Sequence, residues 1–235
     1  SAIAMNKLVS KYFYEKAGIP VPKYVGLQRD EKVDAARIID RLGLPLVIKP
    51  ASAGSSLGLS IVRFEADFEA ALEAAFACDD TAVAEQYLSG TEITGGVLGN
   101  RELQSLPIVE IVPGGDHEFF DFEAKYSAGE TDEICPARID PKLAQTAGEL
   151  AAAAHRALFC SGCSRTDMII SSGRIHVLET NTIPGMTPVS LLPLAAKAAG
   201  MDYAELLDRL IELALEKRKY RTAADCKNPS VPVHG

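Results

Sequence analysis

Two short apolar runs near residue 170 predict a β-hairpin whose polar residues share one face. The runs occupy residues 168–170 and 175–178, and a turn-rich stretch separates them. A turn centred on Gly173 places Asp167 directly opposite Glu179. Because strand side chains alternate between the two faces of a sheet, one face then carries Arg165, Asp167, Glu179 and Asn181.

The two facing carboxylates indicate that a cation lies between them. Like charges directly opposite each other on paired strands repel and cost stability. Carboxylate and amide oxygens without Cys or His are hard ligands, of the kind that hold Mg²⁺ together with the phosphates of a nucleotide. The hairpin therefore predicts a magnesium and nucleotide site, and a solvated hairpin face stays open as the alternative.

Composition narrows the classes of protein to which the chain can belong. Charged residues make up 24% and hydrophobic residues 47% of its 235 residues, which is ordinary for a soluble globular protein. The net charge of −8 argues against a general nucleic-acid binder, although local lysines and a metal can still hold a nucleotide. No run of about 20 apolar residues and no signal peptide is visible, so we expect no membrane partner. Five scattered cysteines fit a reducing cytoplasm, and a metal or redox role for Cys160 and Cys163 is disfavoured because no second pair exists.

Periodicity along the chain predicts a mixed α and β protein. Helices are expected over residues 5–17, 31–42, 66–77, 140–159 and 202–217. Strands are expected over residues 46–49, 59–63, 82–87, 93–98 and 106–112. Residues 114–138 form a long, polar and aromatic-rich segment, and segments of this kind are usually functional or disordered.

Several further residues are candidates for nucleotide binding. Lys49 ends a short apolar strand, and the small-residue loop 53–58 that follows offers backbone N–H groups and hydroxyls for phosphate. Lys125 in the long segment is a second cation, and Glu85 and Glu92 flank a strand break where they could hold a ribose or a base. Taken singly, each of these features is more often an ordinary hairpin or surface side chain.

Taken in order, the motifs resemble those of the D-alanine–D-alanine ligases of the ATP-grasp superfamily. The resemblance covers roughly residues 1–218, and the run from Glu179 to Leu191 with a Lys-Tyr pair upstream is its most specific part. The matching segments occupy residues 1–7, 17–22, 44–50, 54–56, 85–92, 120–126, 135–137, 165–167 and 179–191.

The resemblance implies an α+β ATP-grasp fold with two lobes, each a mostly antiparallel sheet with helices, and a nucleotide between them. Residues 1–88 would form the central lobe, residues 89–220 the C-terminal lobe and residues 221–235 a loose tail. The family's N-terminal domain, which supplies a glutamate for the ammonium of the first D-alanine, would be absent from this chain.

The implied activity is an ADP-forming ligation that supplies D-alanyl-D-alanine for peptidoglycan. ATP would phosphorylate the carboxylate of one D-alanine, and the amine of a second would attack the acyl phosphate. Two Mg²⁺ ions, with Mn²⁺ as a possible substitute, would be the cofactors beside ATP. The implied setting is a cytoplasmic enzyme and possible homodimer, with no nucleic-acid partner.

Residue roles follow from the resemblance wherever a motif matches. The ATP-binding residues would be Lys7, Lys49, Ser56, Glu85, Leu88 and Glu92. The Mg²⁺ ligands would be Asp167, Glu179 and Asn181, with Glu179 bridging the two ions. The catalytic residues would be Arg165 and Gly185 at the oxyanion, Lys125 at the transferring phosphoryl group, and Ser55 and Tyr126 in a closing lid. Ser190 and Leu191 would bind the second D-alanine.

Two departures from the family pattern leave alternatives open. Asn6 replaces a usual acidic residue beside Lys7, and Gln86 replaces a usual lysine after Glu85. Because the family's N-terminal domain shapes the pocket of the first substrate, a related ATP-grasp ligase with other substrates is an alternative. An ATP-binding module that is inactive on its own is a further alternative.

Overall fold

The computed structural model describes residues 1–53, 57–113 and 131–225, with side chains described up to Glu216. Within these ranges the chain forms two antiparallel sheets covered by helices. The expected α+β class with two mostly antiparallel sheets is therefore confirmed.

Two helices open the chain, α1 (Ala2–Met5) and α2 (Lys7–Lys16). The sequence predicts one continuous helix over residues 5–17, and this expectation is wrong at its start. Asn6 is extended (φ −91°, ψ 110°), and its side-chain oxygen accepts a hydrogen bond of 3.0 Å from the backbone N–H of Val9. Because asparagine satisfies the unpaired N–H groups of a helix start, the chain begins a new helix at this point.

The smaller sheet has the strand order β1-β4-β2-β3. Two α-helices and a short 3₁₀ turn (Glu65–Asp67) accompany it, and its core includes Ile48 and Phe68. In chain order the elements are β1 (Tyr24–Gln28), α3 (Ala35–Leu42), β2 (Leu46–Pro50), β3 (Ser60–Val62), α4 (Phe68–Phe76) and β4 (Thr81–Gln86).

Strand β1 is not expected from the sequence. Gly26 lies at its centre, and glycine is depleted in strands because it has no side chain to pack. The structure shows why a glycine is placed there, since an added Cβ would lie 2.9 Å from Leu8 of α2. The strand is therefore formed by tertiary packing rather than by local preference.

The larger sheet has the strand order β10-β9-β5-β7-β8, with β6 paired to β5. Helix α5 covers one face through residues such as Ala151, while α6 and α7 cover part of the other through Leu192 and Leu206. In chain order the elements are β5 (Thr91–Gly99), β6 (Leu103–Ser105), β7 (Val109–Pro113), β8 (Thr131–Ile134), α5 (Pro141–Ala157), β9 (Gly162–Ser171), β10 (Arg174–Asn181), α6 (Leu191–Ala198) and α7 (Tyr203–Asp225).

Two segments of the larger sheet differ from expectation. The strand expected over residues 106–112 begins later, at Val109 of β7, because Pro107 has no N–H to donate to a neighbouring strand. Strand β6 precedes the expected range. Helix α6 was not expected at all. Helix α7 runs to Asp225, further than the expected 217, and residues 226–235 lie outside the described residues.

Helix α2 lies against both sheets. Its Tyr14 is completely buried in the core of the larger sheet, together with Ile19 just beyond the helix. At its other end the backbone N–H of Lys7 donates to the carbonyl of Ala51, directly after β2 of the smaller sheet. Division of the chain at residue 88 stays a prediction.

No helix in the described part of the chain is both long enough and apolar enough to cross a lipid bilayer.

Candidate active site

The β9–β10 hairpin brings the predicted acidic residues together. Asp167 pairs with Glu179, and Arg165 pairs with Asn181. The position of the turn differs from the expected one. The turn consists of Ser172 and Gly173, both with positive φ, and is not centred on Gly173. An irregularity between Val177 and Glu179 absorbs the extra residue and restores the predicted facing pair.

Asp167 is the centre of a polar cluster on this face. The guanidinium of Arg165 donates to both of its carboxylate oxygens at 3.0 Å, and the amide of Asn181 donates to one of them at 2.9 Å. The hydroxyl of Thr94, on the neighbouring strand β5, donates at 2.6 Å. Donors from three strands therefore hold Asp167 in one position.

The opposite face of the same hairpin fixes it to helix α2. The hydroxyl of Tyr14 donates to Thr180 Oγ1 at 2.8 Å, and the hydroxyls of Thr180 and Thr166 are 3.0 Å apart. All three residues are buried. Because this hydrogen-bond network lies directly behind Asp167 and Glu179, it aligns α2 with the acidic pair.

Lys7 reaches from α2 towards both the loop after β2 and the hairpin. Its ammonium donates to the carbonyl of Ala53 at 2.7 Å. Burial lowers the pKa of Lys7, and the nearby carboxylate of Glu179 opposes this change. The structure thus places one predicted phosphate-binding lysine beside a predicted metal ligand.

Lys49 and Glu85 form a second charged cluster, on strands β2 and β4. Lys49 Nζ lies 3.3 Å from Glu85 Oε2, and Lys11 Nζ lies 2.8 Å from the same oxygen. The carboxylate of Glu85 is buried, and two ammonium groups lie against it. Burial opposes ionisation, but the two lysines outweigh it and lower the pKa of Glu85.

Sequence reasoning missed Lys11. The available signal was its position one helical turn after Lys7, which places both lysines on the same side of α2. A surface position was the natural expectation because lysine is almost never fully buried without a partner. The structure provides that partner in Glu85.

The residues expected to hold adenine and ribose lie where the chain passes between the sheets. Leu88 is half-buried in the connection from β4 to β5, and Glu92 lies on β5 two residues before Thr94. Gly90 in this connection passes so close to β9 that an added Cβ would lie 1.9 Å from the carbonyl oxygen of Ile170. Leu88 and Glu92 are therefore held at fixed positions beside the hairpin.

The turn after β10 folds back on Ser190. Ser190 Oγ accepts a hydrogen bond of 3.1 Å from the backbone N–H of Thr187, and an added Cβ on Gly185 would lie 2.9 Å from that oxygen. Leu191 begins helix α6 directly afterwards. Gly185, Ser190 and Leu191 therefore lie close together after β10. The oxyanion role of Gly185 and the substrate-binding role of Ser190 and Leu191 stay predictions.

Four predicted site residues, Ser55, Ser56, Lys125 and Tyr126, lie outside the described residues. Glu133 was not predicted, yet it follows that gap on β8 and pairs with Ile111, which in turn pairs with Glu92. Paired residues of a sheet point to the same face, so Glu133 shares the face of the acidic pair. Burial raises its pKa, and the guanidinium of Arg165 opposes this rise.

The residues at the hairpin fit a hard divalent cation. Asp167, Glu179 and Asn181 offer carboxylate and amide oxygens, which are the donors that Mg²⁺ prefers. In the described part of the chain no group of three His, Cys, Asp or Glu residues is arranged to hold a metal. The predicted Mg²⁺ ligands include only two residues of these four types, Asp167 and Glu179, because the third ligand, Asn181, is an amide.

Comparisons with known proteins agree on one family. A family model described as the D-Ala–D-Ala ligase C-terminus matches residues 13–212. The D-alanine–D-alanine ligase of Syntrophobacter fumaroxidans is 54% identical over 92% of this chain and 70% of its own length.

Solved structures show the same likeness. The Bacillus anthracis D-alanine–D-alanine ligase in complex with ATP superimposes with a TM-score of 0.80 at 34% identity, over 93% of this chain and 68% of its own. The D-Ala:D-Ser ligase VanG of Enterococcus faecalis has a TM-score of 0.82 at 38% identity, over 90% of this chain and 62% of its own.

Two antiparallel sheets, lysines on α2 and β2, an oxygen-rich hairpin and the likeness to these ligases define an ATP-grasp enzyme, an ATP-dependent ligase. Within that class, the chain belongs to the D-alanine–D-alanine ligase family. The resemblance that the motifs suggested is thereby confirmed.

Proposed function

We propose that this chain ligates two D-alanines at the expense of ATP and supplies D-alanyl-D-alanine to peptidoglycan. The observation that carries the proposal is the position of Lys7. Its ammonium donates to the carbonyl of Ala53 in the loop after β2 and interacts electrostatically with Glu179 of the hairpin. This position supports a site in which cations for phosphate lie near oxygen ligands for Mg²⁺. Phosphoryl transfer depends mainly on such positioning and charge neutralisation.

In the first step a carboxylate oxygen of one D-alanine bonds to the γ-phosphorus of ATP, and the bond to the ADP oxygen breaks. Lys7, Lys49 and Ser56 bind the phosphates, and Lys125 neutralises the transferring group. Glu85, Leu88 and Glu92 hold the adenine and ribose. Asp167, Glu179 and Asn181 would hold Mg²⁺, which would supply charge neutralisation at the phosphates.

In the second step the amine of the other D-alanine, after losing a proton, attacks the carbonyl carbon of the acyl phosphate. The tetrahedral intermediate then expels phosphate and leaves the dipeptide. Arg165 and the backbone N–H of Gly185 donate to its oxyanion, and a donor of this kind contributes about 3–4 kcal/mol. Ser190 and Leu191 orient the attacking amino acid, while Ser55 and Tyr126 close a lid that excludes water.

ADP release by the purified 235-residue chain with ATP, Mg²⁺ and D-alanine tests this function. We expect release that depends on D-alanine and that L-alanine does not replace. A parallel calorimetric titration with ATP separates the outcomes. Binding without turnover would favour an ATP-binding module that is inactive alone, and absence of ATP binding would contradict the proposal.

The likeness to a D-Ala:D-Ser ligase favours one specific alternative, a ligase whose second substrate is another amino acid. The same assay with D-serine in competition with D-alanine distinguishes the two. Dipeptide composition measured by mass spectrometry gives the answer, and a product that is mostly D-alanyl-D-serine would favour the alternative.

Cytoplasmic action and a homodimer are further parts of the proposal. The described cysteines Cys78, Cys135, Cys160 and Cys163 are free thiols, as a reducing compartment allows. Light scattering coupled to gel filtration tests the dimer, and a mass of one chain at micromolar concentration would contradict it.

A further inference from the structure

One buried carboxylate in this molecule faces two ammonium groups. Glu85 Oε2 lies 2.8 Å from Lys11 Nζ and 3.3 Å from Lys49 Nζ. The two lysines differ in access, because the side chain of Lys11 is 1% exposed and that of Lys49 is 13% exposed. Only Lys49 can therefore contact a ligand directly.

The charges of this cluster do not cancel. Glu85 contributes one negative charge, whereas Lys11 and Lys49 contribute two positive charges, and Lys7 lies close enough to interact with all three. A buried charge is tolerated when a fixed partner neutralises it. With Lys11 paired to Glu85, the ammonium of Lys49 is the surplus charge available to an anion.

Lys11 is held firmly in this position. Its helix α2 is fixed to the larger sheet by the buried hydrogen bond from Tyr14 to Thr180, one turn further on. The ring of Tyr24, on β1 of the smaller sheet, lies 5.3 Å from the Lys11 ammonium. The lysine thus extends from an element of one sheet into the interior of the other.

We propose that Lys11 is a positioning residue of the nucleotide site, which neutralises Glu85 and so leaves Lys49 free to bind phosphate. Lys11 touches no ligand in this role, because it is sealed from solvent. It acts through Glu85 on Lys49. The inference rests on the proposed function, since the phosphate is taken to be that of ATP.

Lys11→Met separates this role from simple structural support. Without the Lys11 ammonium, Lys49 becomes the sole partner of Glu85. The ion pair with Glu85 then keeps the Lys49 ammonium from binding phosphate. We expect the ATP affinity to fall about tenfold relative to the affinity for adenosine, which has no phosphate. In Lys11→Met/Glu85→Gln the carboxylate charge is also removed, so Lys49 is released and the ratio returns to within about threefold of the unaltered protein.

Lys16→Met is the matched control, because Lys16 lies in the last turn of the same helix and is exposed. It should leave both affinities unchanged. The inference is overturned if Lys11→Met weakens ATP and adenosine equally, or if the ratio of ATP to adenosine affinity is as low in the double variant as in Lys11→Met. Should Lys11→Met fail to fold, the double variant decides through its ratio of ATP to adenosine affinity, which the proposed role predicts to lie within about threefold of the unaltered protein.

A measurement without nucleotide keeps this inference separate from the proposed function. The rate at which acetic anhydride modifies Lys49, followed by mass spectrometry, should fall in Lys11→Met and recover in the double variant. An unchanged rate overturns the role of Lys11 whether or not ATP binds. Failure of the unaltered protein to bind ATP, together with the expected rates, would instead contradict the nucleotide site.

Discussion

At the scale of single residues, Asp167 shows how one side chain serves both folding and chemistry. Three donors from three strands converge on its carboxylate, and one of them is the half-buried guanidinium of Arg165. A buried guanidinium is stable only near a partner charge. Asp167 is thus a counterion for Arg165 as well as a proposed ligand of Mg²⁺.

Asp167→Asn should therefore reduce both stability and metal binding. The lost charge weakens the contact with Arg165, and we expect the free energy of unfolding in urea to fall by about 1–3 kcal/mol. Magnesium-dependent ATP binding, measured by calorimetry, should be lost or strongly weakened. Asp132→Asn on strand β8 is the control, because Asp132 is exposed and points away from this face. Equal ATP binding by the two variants would refute the metal assignment.

His155 gives the stability of the protein a defined dependence on pH. It is buried under the larger sheet, with Nδ1 2.8 Å from Ser164 Oγ, and burial lowers its pKa from 6.5 to about 4. Between these two values the unfolded chain binds a proton that the folded protein does not. Stability contributed by the neutral imidazole is therefore complete above pH 6.5 and falls as the pH falls towards 4.

Urea unfolding at a series of pH values from 4 to 7 measures this dependence. The unaltered protein should lose stability on acidification, and His155→Asn should lose less over the same range because the titrating group is gone. The variant should also be less stable at pH 7, since the packed ring is missing. If the free energy of unfolding falls equally with pH in the two proteins, His155 does not cause the loss of stability.

At the scale of elements, the connection between the two sheets depends on one glycine. Gly90 passes β9 so closely that no side chain fits between its Cα and the carbonyl of Ile170. A change at this position must move backbone rather than a flexible side chain. Leu88 and Glu92 on either side would move with it.

Gly90→Ala should lower the free energy of unfolding by about 1–3 kcal/mol or more through this overlap. Nucleotide affinity should fall as well, because Leu88 and Glu92 lie in the displaced segment. Gly148→Ala in helix α5 is the matched control, since its Cβ would lie 3.3 Å from the side chain of Ser105 and alanine favours helix. Denaturation of the two variants gives the comparison, and equal stabilities would contradict the account.

The elements also show how much the sequence could predict. The hairpin was predictable because its signals are local: alternation, a glycine turn and two carboxylates that need a cation. Its bulge was not, since nothing near Leu178 marks an irregular register. Strand β1 and the burial of Lys11 depend on partners distant in sequence, Leu8 packing on Gly26 and Glu85 enclosing the ammonium. Such contacts have no local signal, so they appear only in the folded chain.

At the scale of the whole molecule, a ligand that joins the two sheets should stabilise both. Lys49 lies on a strand of the smaller sheet, whereas Lys7 and the acidic pair lie on elements packed in the core of the larger sheet. ATP with Mg²⁺ contacts both sets under the proposed function. Binding to the folded state alone then raises the stability of the entire chain.

Thermal unfolding with and without ATP and Mg²⁺ tests this coupling. At a ligand concentration of 100 times Kd the expected stabilisation is about 2.7 kcal/mol. For a chain of this length that corresponds to a rise in Tm of about 5–10 °C. ATP with a chelator in place of Mg²⁺ should give a smaller rise. An identical Tm in every condition would contradict a nucleotide site between the sheets.

The bond between Tyr14 and Thr180 joins residues 166 positions apart, and it has a consequence for synthesis on the ribosome. Helix α2 is made well before β10, the strand that completes its packing. At 5–20 residues per second the intervening chain takes about 10–30 s to translate. Throughout that interval Tyr14 of α2 has no final partner, so nascent chains should need protection by chaperones until β10 emerges.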